Sequence, residues 1–429
     1  MDTYASDNAC YPSLMHYDVA VIGGGPAGMM AAGRAAELGA TVVLLEKNTI
    51  LGKKLLISGG GRCNILNAEF DTRLLTEKYG KKGKALFSAF SHLDVQATID
   101  FFESRGLPIK VEAEKRAFPK SDSAEDVQRT LIKYMQKGNV KILLGTRVTD
   151  VKVTDGSIAG LVTNKGLLTA SQYILATGGK SHPETGSTGD GFLWMKKLGH
   201  TVSEPDPALV PVTLRNPWVK DAAGISLKGV KLSVIHNGTK HDARVGKMLF
   251  THTGLSGPLV LNMSKGIGSL LKNGAVDLSL DLFPTLDFGA LDRKLLSVFE
   301  AGKNKMIKNN IGEIVQPRLG HVLLKLSGID GSTPLHQLTK DQRLEFGRLL
   351  KDIPLSVSGL LGAEDAIVTG GGVSLKEIDF KTMQSKLISN LFLVGDVLDF
   401  DRPSGGFSLQ ICWTTAFVAG TSAAKHRVS

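Results

Sequence analysis

The stretch YDVAVIGGGPAG, residues 17–28, decides the fold of this 429-residue chain. Residues 17–22 form an apolar run of strand length, and the helix-forming residues 26–38 follow the glycines. Gly39 then ends the predicted helix, and residues 41–46 supply a second buried strand. We therefore predict a complete βαβ unit with a G-x-G-x-x-G loop at its centre.

The glycine loop predicts a binding site for a dinucleotide. Gly23 permits the tight turn, Gly25 lets the backbone approach a pyrophosphate, and Gly28 permits close packing of the helix. The helix N-terminus points its free N–H groups at the anion. Glu46 ends the second strand, where a carboxylate accepts a hydrogen bond from a ribose 2′-hydroxyl and disfavours the 2′-phosphate of NADP. The cofactor is therefore FAD or NAD.

Motifs near the C terminus predict a second half of the cofactor site. Residues 391–394 are a buried strand followed by Gly395 and Asp396, and an apolar helix begins at Phe407, after two further glycines. Such a helix N-terminus can stabilise negative charge on a reduced flavin. These motifs favour FAD, the more extended cofactor, and they place the first and last parts of the chain in one domain.

The middle of the chain predicts an inserted region. Closely spaced prolines at 205, 207 and 211 interrupt the alternation of strands and helices. Short strands follow at residues 227–235 and 276–282, and helical segments lie between Leu291 and Lys351. We expect a β-rich platform that carries a helical subdomain.

Two helices and a small sheet are predicted ahead of this insertion. The helices span residues 87–105 and 123–137, and the second opens with a capping pattern at Ser123. Alternating valines from Val148, followed by a turn and an apolar run at residues 173–176, indicate a small sheet that leads back into the main one.

Charge and composition limit the partners and the compartment. The net charge of +10 would attract polyanions, but the lysines are scattered in small clusters, which favours a solvated basic surface over a nucleic-acid site. No apolar run reaches the roughly 20 residues needed to cross a bilayer, and no secretory signal opens the chain. Three cysteines fit a reducing compartment. We expect a flexible tail over residues 1–16 and a cytoplasmic protein without membrane partners; the oligomeric state is left open.

Several further motifs resemble the BaiN-type (YhiN-like, aminoacetone-oxidase-type) NAD(P)/FAD-dependent oxidoreductase family. The resemblance covers nearly the whole chain from about Tyr17. The matching stretches are LGKK at 51–54, SGGGRCN at 58–64, ATGG at 176–179, GSTGDG at 186–191, THTGLSGP at 251–258, and TGGGV at 369–373 with Met383, Ser385 and Lys386.

The resemblance implies a fold class and domain boundaries. The fold class is α/β, with a Rossmann-like two-dinucleotide-binding FAD domain interrupted by a β-barrel-like domain and a helical subdomain. The implied FAD domain comprises residues 17–206 and 364–429. The β-rich substrate domain comprises residues 207–285 and 353–363, and the helical subdomain comprises residues 286–352.

The resemblance also implies where the cofactor lies. The glycine-rich run ending at Asn64 should lie beside it, and Val148 should meet adenine through its backbone. Four positions depart from the family pattern, namely His182, Asp396, Phe407 and Ser408, and these concern the substrate rather than flavin binding. The predicted cofactor-binding residues are Gly23, Gly25, Pro26, Ala27, Gly28, Glu46, Lys47, Lys54, Ser58, Gly59, Gly60, Gly61, Arg62, Cys63, Asn64, Val148, Thr177, Gly178, Gly179, Gly395, Asp396, Gly405, Gly406 and Phe407.

The predicted reaction is hydride transfer through flavin N5, with the protein supplying orientation and exclusion of water. The catalytic residues are unknown; His252 and His182 are candidates for a proton donor, and a structural role for His252 is an equal alternative. No C-x-x-C pair exists, so Cys63 is interpreted as a small buried group, and no His/Cys cluster has metal-site spacing, which predicts no metal.

Four alternatives for the function remain open. The first is an NAD(P)H-driven reductase acting on a small organic acceptor such as an enone. NADH or NADPH would bind transiently, because residues 369–373 lack the following helix of a second dinucleotide unit. The second is an FAD-dependent amine oxidase that uses oxygen. The third is an RNA-binding flavoprotein, and a flavin-bound interaction protein without turnover is a further class.

Overall fold

The computed structural model describes residues 16–362 and 368–425. The predicted N-terminal tail therefore lies outside the described residues except for His16, whose ring contacts Ser171 Oγ at 2.8 Å. Two compact units are present, one formed by residues 16–206 and 368–425 and the other by residues 207–362.

Both units contain helices and antiparallel strands. The strands are β1 Tyr17–Ile22, β2 Val42–Leu45, β3 Leu66–Asn67, β4 Ile109–Glu112, β5 Arg116–Pro119, β6 Lys141–Leu143, β7 Val148–Thr154, β8 Ser157–Thr163, β9 Gly166–Leu168, β10 Ala170–Leu175, β11 Val202–Ala208, β12 Val212–Leu214, β13 Ser226–His236, β14 Thr239–Phe250, β15 Gly254–Ser256, β16 Val276–Asp281, β17 Ile353–Leu360, β18 Val368–Val373, β19 Ile378–Asp379, β20 Gln384–Ser385 and β21 Leu391–Leu393. The helices are α1 Pro26–Glu37, α2 Lys53–Ile57, α3 Thr72–Glu77, α4 Phe87–Phe90, α5 Val95–Glu103, α6 Ala124–Lys137, α7 Asp190–Lys197, α8 Pro258–Leu271, α9 Phe288–Ala301, α10 Ile307–Asn310, α11 Pro317–Leu326, α12 Lys340–Lys351 and α13 Phe407–Lys425.

A seven-stranded sheet forms the centre of the first unit, in the order β19-β20-β21-β10-β1-β2-β6. The five strands from β21 to β6 are parallel, and β19 and β20 add an antiparallel edge. The last four residues of β1 and all of β2 are buried, as expected for parallel strands covered on both faces. The predicted βαβ unit is confirmed.

Small residues on α1 let two other helices approach closely. A β-carbon at Gly420 of α13 would lie 2.6 Å from the Ala31 carbonyl oxygen, and one at Gly33 would overlap the Tyr134 ring of α6. Because α1 carries the glycine loop at its N-terminus, this packing fixes the position of the loop above the sheet.

The second unit contains a closed barrel with strand order β12-β15-β14-β13-β16-β17. All its strand pairs are antiparallel. Alternate residues of β16, among them Leu278 and Leu280, are buried in a core shared with helices such as α9 and α12. The predicted fold class, a Rossmann-like domain interrupted by a β-barrel-like domain and helices, is confirmed.

Some local predictions were wrong. The single helix predicted over residues 87–105 is two helices, because Asp94 leaves the helical conformation and caps α5 by accepting a hydrogen bond from the Ala97 N–H at 2.8 Å. Helix α6 begins as predicted, but the Ser123 side chain makes no capping hydrogen bond. Strand β14 was missed because its many charged residues conceal the alternation. Helix α13 begins at Phe407, as predicted, and ends at Lys425.

Within residues 16–362 and 368–425, no helix has the length and apolar character needed to span a bilayer.

Candidate cofactor site

Four loops meet at one edge of the main sheet. Because the strands β2, β1, β10 and β21 are parallel and adjacent, their carboxyl ends lie side by side. The Gly23 N–H donates to Leu45 O at 2.8 Å, and the Ala176 N–H donates to Ile22 O at 2.9 Å, so the chain remains paired up to the edge. Glu46 follows β2, and Gly23 and Gly25 follow β1. The loop after β10 contains Thr177, Gly178 and Gly179, and the loop after β21 contains Gly395 and Asp396.

The three glycines of the loop after β1 have different surroundings. Gly23 has φ +106°, and a β-carbon there would lie 2.5 Å from the Ala176 carbonyl oxygen. A β-carbon at Gly28 would overlap the Gly23 carbonyl oxygen. At Gly25, which has φ −76°, no atom lies within 4 Å of the β-carbon position. Gly23 and Gly28 are therefore required by packing, whereas Gly25 faces open space.

This open space suits a pyrophosphate. It lies at the N-terminus of α1, a 12-residue helix that begins with Pro26 and Ala27 and has no side-chain cap. The uncapped N–H groups and the positive end of the helix dipole both favour a phosphate anion there. The residues present therefore fit the pyrophosphate of FAD.

Glu46 is buried and ties two of the loops together. One of its carboxylate oxygens, Oε2, accepts a hydrogen bond from the Gly24 N–H at 2.7 Å. The other, Oε1, accepts from the backbone N–H of Asn48 at 2.7 Å and from its side-chain amide at 2.8 Å. The sequence prediction gave Glu46 only the ribose hydroxyl as a partner and missed Asn48. Oε2 keeps a lone pair that can accept from such a hydroxyl.

Lys47 joins this loop to the GSTGDG motif. Its ammonium donates to Thr188 Oγ1 at 2.6 Å and to Asp190 Oδ2 at 3.0 Å. Burial raises the pKa of Asp190, but the hydrogen bonds from Lys47 and Thr188 outweigh it and hold the pKa below its ordinary value. Val148 is buried at the start of β7, two residues after Thr146, whose N–H donates to Glu46 O at 2.9 Å.

The SGGGRCN segment lies against the start of α13. Gly59, Gly60 and Gly61 all have positive φ, and Ser58 Oγ donates to Leu55 O at 2.6 Å. With the Asn64 amide assigned so that its nitrogen faces the Leu66 and Ala117 carbonyl oxygens, its side-chain oxygen accepts a hydrogen bond from the Gly406 N–H at 3.1 Å. A β-carbon at Gly406 would overlap the backbone of Leu66, so this approach requires glycine. The structure thus brings predicted residues from 58–64 and from Gly405, Gly406 and Phe407 together.

The Arg62 guanidinium contacts three side chains outside the SGGGRCN segment. It lies 4.0 Å from the centre of the Phe118 ring and forms ion pairs with Glu112 and Asp122. The side chain therefore braces the small sheet of β3, β4 and β5 beside the loop, which is a role that the sequence did not predict.

Lys54 belongs to a charged cluster with Asp396 and Arg402. The Lys54 ammonium donates to Ser181 Oγ at 2.6 Å and lies 3.8 Å from Asp396 Oδ2. Asp396 Oδ1 accepts a hydrogen bond from the Arg402 guanidinium, which is fully buried and also donates to Leu398 O at 2.7 Å. Burial lowers the pKa of Lys54 from its ordinary value. Neither Arg402 nor Ser181 was predicted from the sequence, in which the signal for Arg402 is an arginine close behind a buried strand.

The two histidine candidates lie in different units. His182 is in the first unit, in a left-handed conformation, with Nδ1 3.0 Å from Glu184 Oε1. His252 is exposed in the turn between β14 and β15 of the second unit. Within the described ranges, no group of three or more His, Cys, Asp or Glu side chains is arranged to hold a metal ion.

Cys63 and Cys412 are both free and buried. Burial raises the pKa of the Cys63 thiol to about 12, and it also raises that of Cys412. At about pH 8 the thiolate fraction of Cys63 is lower than that of an ordinary thiol by about 1,000-fold. Cys63 is therefore a packing group and not a reactive thiol.

This burial predicts the behaviour of the thiols towards an alkylating reagent. In a C10S variant, which retains only Cys63 and Cys412, we expect almost no modification of the folded protein and modification of both thiols after unfolding in guanidinium chloride. Mass spectrometry of the alkylated chain measures both states. Rapid modification of Cys63 in the folded protein would contradict the buried position.

The chain is similar to known proteins over most of its length. The family model described as "HI0933-like protein Rossmann domain" matches residues 17–422. The 3-dehydro-bile acid delta(4,6)-reductase of Clostridium scindens is 29% identical over 413 residues, which cover 95% of this chain and 99% of the relative. The ribosomal RNA dihydrouridine synthase of Escherichia coli is 29% identical over 407 residues, which cover 94% of this chain and 97% of the relative.

Among solved structures, the 3-ketosteroid delta1-dehydrogenase of Sterolibacterium denitrificans matches with a TM-score of 0.56 at 14% identity, covering 96% of this chain and 100% of that one. At this identity the likeness shows the fold alone.

Proposed function

Because the chain belongs to the HI0933-like family and is an FAD-dependent oxidoreductase, we propose that it reduces a carbon–carbon double bond conjugated to a carbonyl group, with NADH or NADPH as the reductant. The observation that carries the proposal is the near full-length match to the bile acid delta(4,6)-reductase. The name of that relative denotes reduction of a 3-oxo compound that has double bonds starting at the 4 and 6 positions. These double bonds are conjugated to the ketone.

Bound FAD supplies the hydride, and the chain supplies binding and orientation. The open cradle at Gly25 would hold the pyrophosphate, and Glu46 would accept from the adenosine ribose. The N-terminus of α13, beginning at Phe407, offers partial positive charge to the far end of the cofactor. Gly405 and Gly406, which precede this helix, both have positive φ.

A proton must reach the carbon next to the carbonyl as the hydride reaches the other carbon of the double bond. His182 and His252 are the proposed donors. His182 is supported by its place next to Ser181, which binds Lys54, and by the orientation that Glu184 gives its ring. His252 is supported by its exposed position in the THTGLSGP motif.

The reductant is proposed to bind transiently. Strand β18 is followed by a helical turn of only three residues, Leu375–Glu377, so residues 368–377 offer no second dinucleotide unit of the β1–α1 type. An amine oxidase would need no nicotinamide nucleotide, because the amine would reduce the flavin and oxygen would reoxidise it. The response of the flavin to nicotinamide nucleotides, enones and amines separates the two reactions.

The experiment follows the flavin absorbance of the FAD-loaded protein without oxygen. We expect NADH or NADPH to bleach the flavin and a cyclic enone to restore it, with formation of the saturated ketone. The matched control is the saturated ketone itself, which should not restore the absorbance. Reduction by amines and reoxidation by oxygen alone, with no response to enones, would identify an oxidase instead.

RNA is the second candidate substrate. The net charge of +10 and the match to the Escherichia coli dihydrouridine synthase favour it, and the uracil C5=C6 bond is also conjugated to a carbonyl. In this case uridine-containing RNA, and not an enone, should reoxidise the reduced protein, with binding that weakens steeply as salt increases. No binding of ribosomal RNA at low salt would exclude this candidate.

A further inference from the structure

The cluster of Lys54, Asp396 and Arg402 contains more positive than negative charge. Asp396 lies between the two cations and accepts a hydrogen bond from the Arg402 guanidinium, which has no exposed surface. Lys54 donates instead to the neutral hydroxyl of Ser181 and lies 3.8 Å from the carboxylate. The next carboxylate, Glu184, is 59% exposed and is paired with His182. These three side chains therefore carry one net positive charge in a partly buried place, which is costly unless an anion binds there.

The position of this charge along the sheet edge indicates which part of FAD it would meet. Glu46 follows β2 and marks the ribose end, and the Gly25 cradle follows β1. Ser181 and Asp396 follow β10 and β21, on the opposite side of β1 from β2. An extended cofactor that begins at Glu46 and passes Gly25 continues towards β10 and β21. Lys54 therefore lies closer to the expected position of the flavin ring than to that of the adenosine.

We propose that the Lys54 ammonium, positioned by Ser181, Asp396 and Arg402, stabilises the negative charge that the flavin ring carries when it is reduced. Asp396 holds the ammonium in place, and its own charge is balanced by Arg402, so that the charge of Lys54 remains available to the cofactor. The inference rests on FAD binding and not on the identity of the acceptor.

Sulfite provides a test that needs no substrate. It adds through sulfur to N5 of the oxidised flavin, and its electron pair leaves a negative charge on the ring, as reduction does. We expect K54M to bind FAD in a 1:1 ratio and to bind sulfite about 10- to 100-fold more weakly than the unmodified protein, the change expected for removal of a nearby unit charge at an effective dielectric constant of about 20. Loss of flavin absorbance during a sulfite titration measures this affinity.

K53M is the matched control, because Lys53 is on the same helix but donates to Glu184 O at 2.8 Å and lies outside the cluster. It should change sulfite affinity by no more than about twofold. K54R retains the charge and should retain most of the affinity, which guards against a folding defect in K54M.

Unchanged sulfite affinity in K54M would overturn the proposal. Loss of FAD from K54M but not from K53M would also overturn it, because it would assign Lys54 to the pyrophosphate. Failure of every enone to reoxidise the protein would count against the proposed function alone. The sulfite titration would still test the role of Lys54, because it requires only bound FAD.

Discussion

Replacement of Gly25 by valine is expected to abolish FAD binding while the protein remains folded. The backbone at Gly25 has φ −76°, which any residue adopts, and no atom lies within 4 Å of the β-carbon position. The valine side chain would therefore enter the space proposed for the pyrophosphate without disturbing the protein. We expect FAD affinity to fall by more than about 100-fold, since close backbone approach to the phosphates would be blocked. FAD content after purification and the thermal unfolding curve measure the two effects.

Two other glycines provide the controls for G25V. Gly266, on α8, is also open at its β-carbon position, so G266V should leave FAD content unchanged. G28A should behave in the opposite way from G25V and destabilise the fold, because its methyl group would overlap the Gly23 carbonyl oxygen. A G25V protein that retains one FAD per chain would show that the pyrophosphate does not lie at this loop.

Replacement of Glu46 by alanine is expected to weaken both the fold and FAD binding. The change removes the acceptor of three hydrogen bonds, from the Gly24 N–H and from two donors of Asn48, at a buried position. Leaving such donors without a partner costs about 2–4 kcal/mol of unfolding free energy. We expect FAD affinity to fall by about 10- to 100-fold as well, because the loop loses its support and the ribose loses its acceptor. Urea unfolding and fluorescence titration with FAD measure these changes.

Glu125 offers the matched control for E46A, because it is exposed in the first turn of α6. E125A should lower the unfolding free energy by no more than about 0.5 kcal/mol and leave FAD affinity unchanged. The outcome that would contradict the assignment is an E46A protein with unaltered stability and unaltered FAD affinity.

Local sequence was sufficient where neighbouring residues decide the structure. The unit β1–α1–β2 was predicted because an apolar strand, a glycine turn and a helix follow one another within residues 17–46, and each depends on residues close in the chain. The same locality explains an error. The apolar pattern of residues 87–105 suited one helix, but the preference of Asp94 for an N-cap position divided it.

The sequence by itself determined the fold class, the glycine loop and the residue types of the cofactor site, because turns, caps and hydrophobic periodicity are short-range properties. Only the tertiary structure decided that Ser181 and Asp396 flank Lys54, that Asn64 bonds to Gly406, and that Arg62 pairs with Glu112 and Asp122. These contacts join residues far apart in the chain. They exist because parallel strands bring their carboxyl ends to one edge, and the order of strands across a sheet is set by packing of the whole domain rather than by any local pattern.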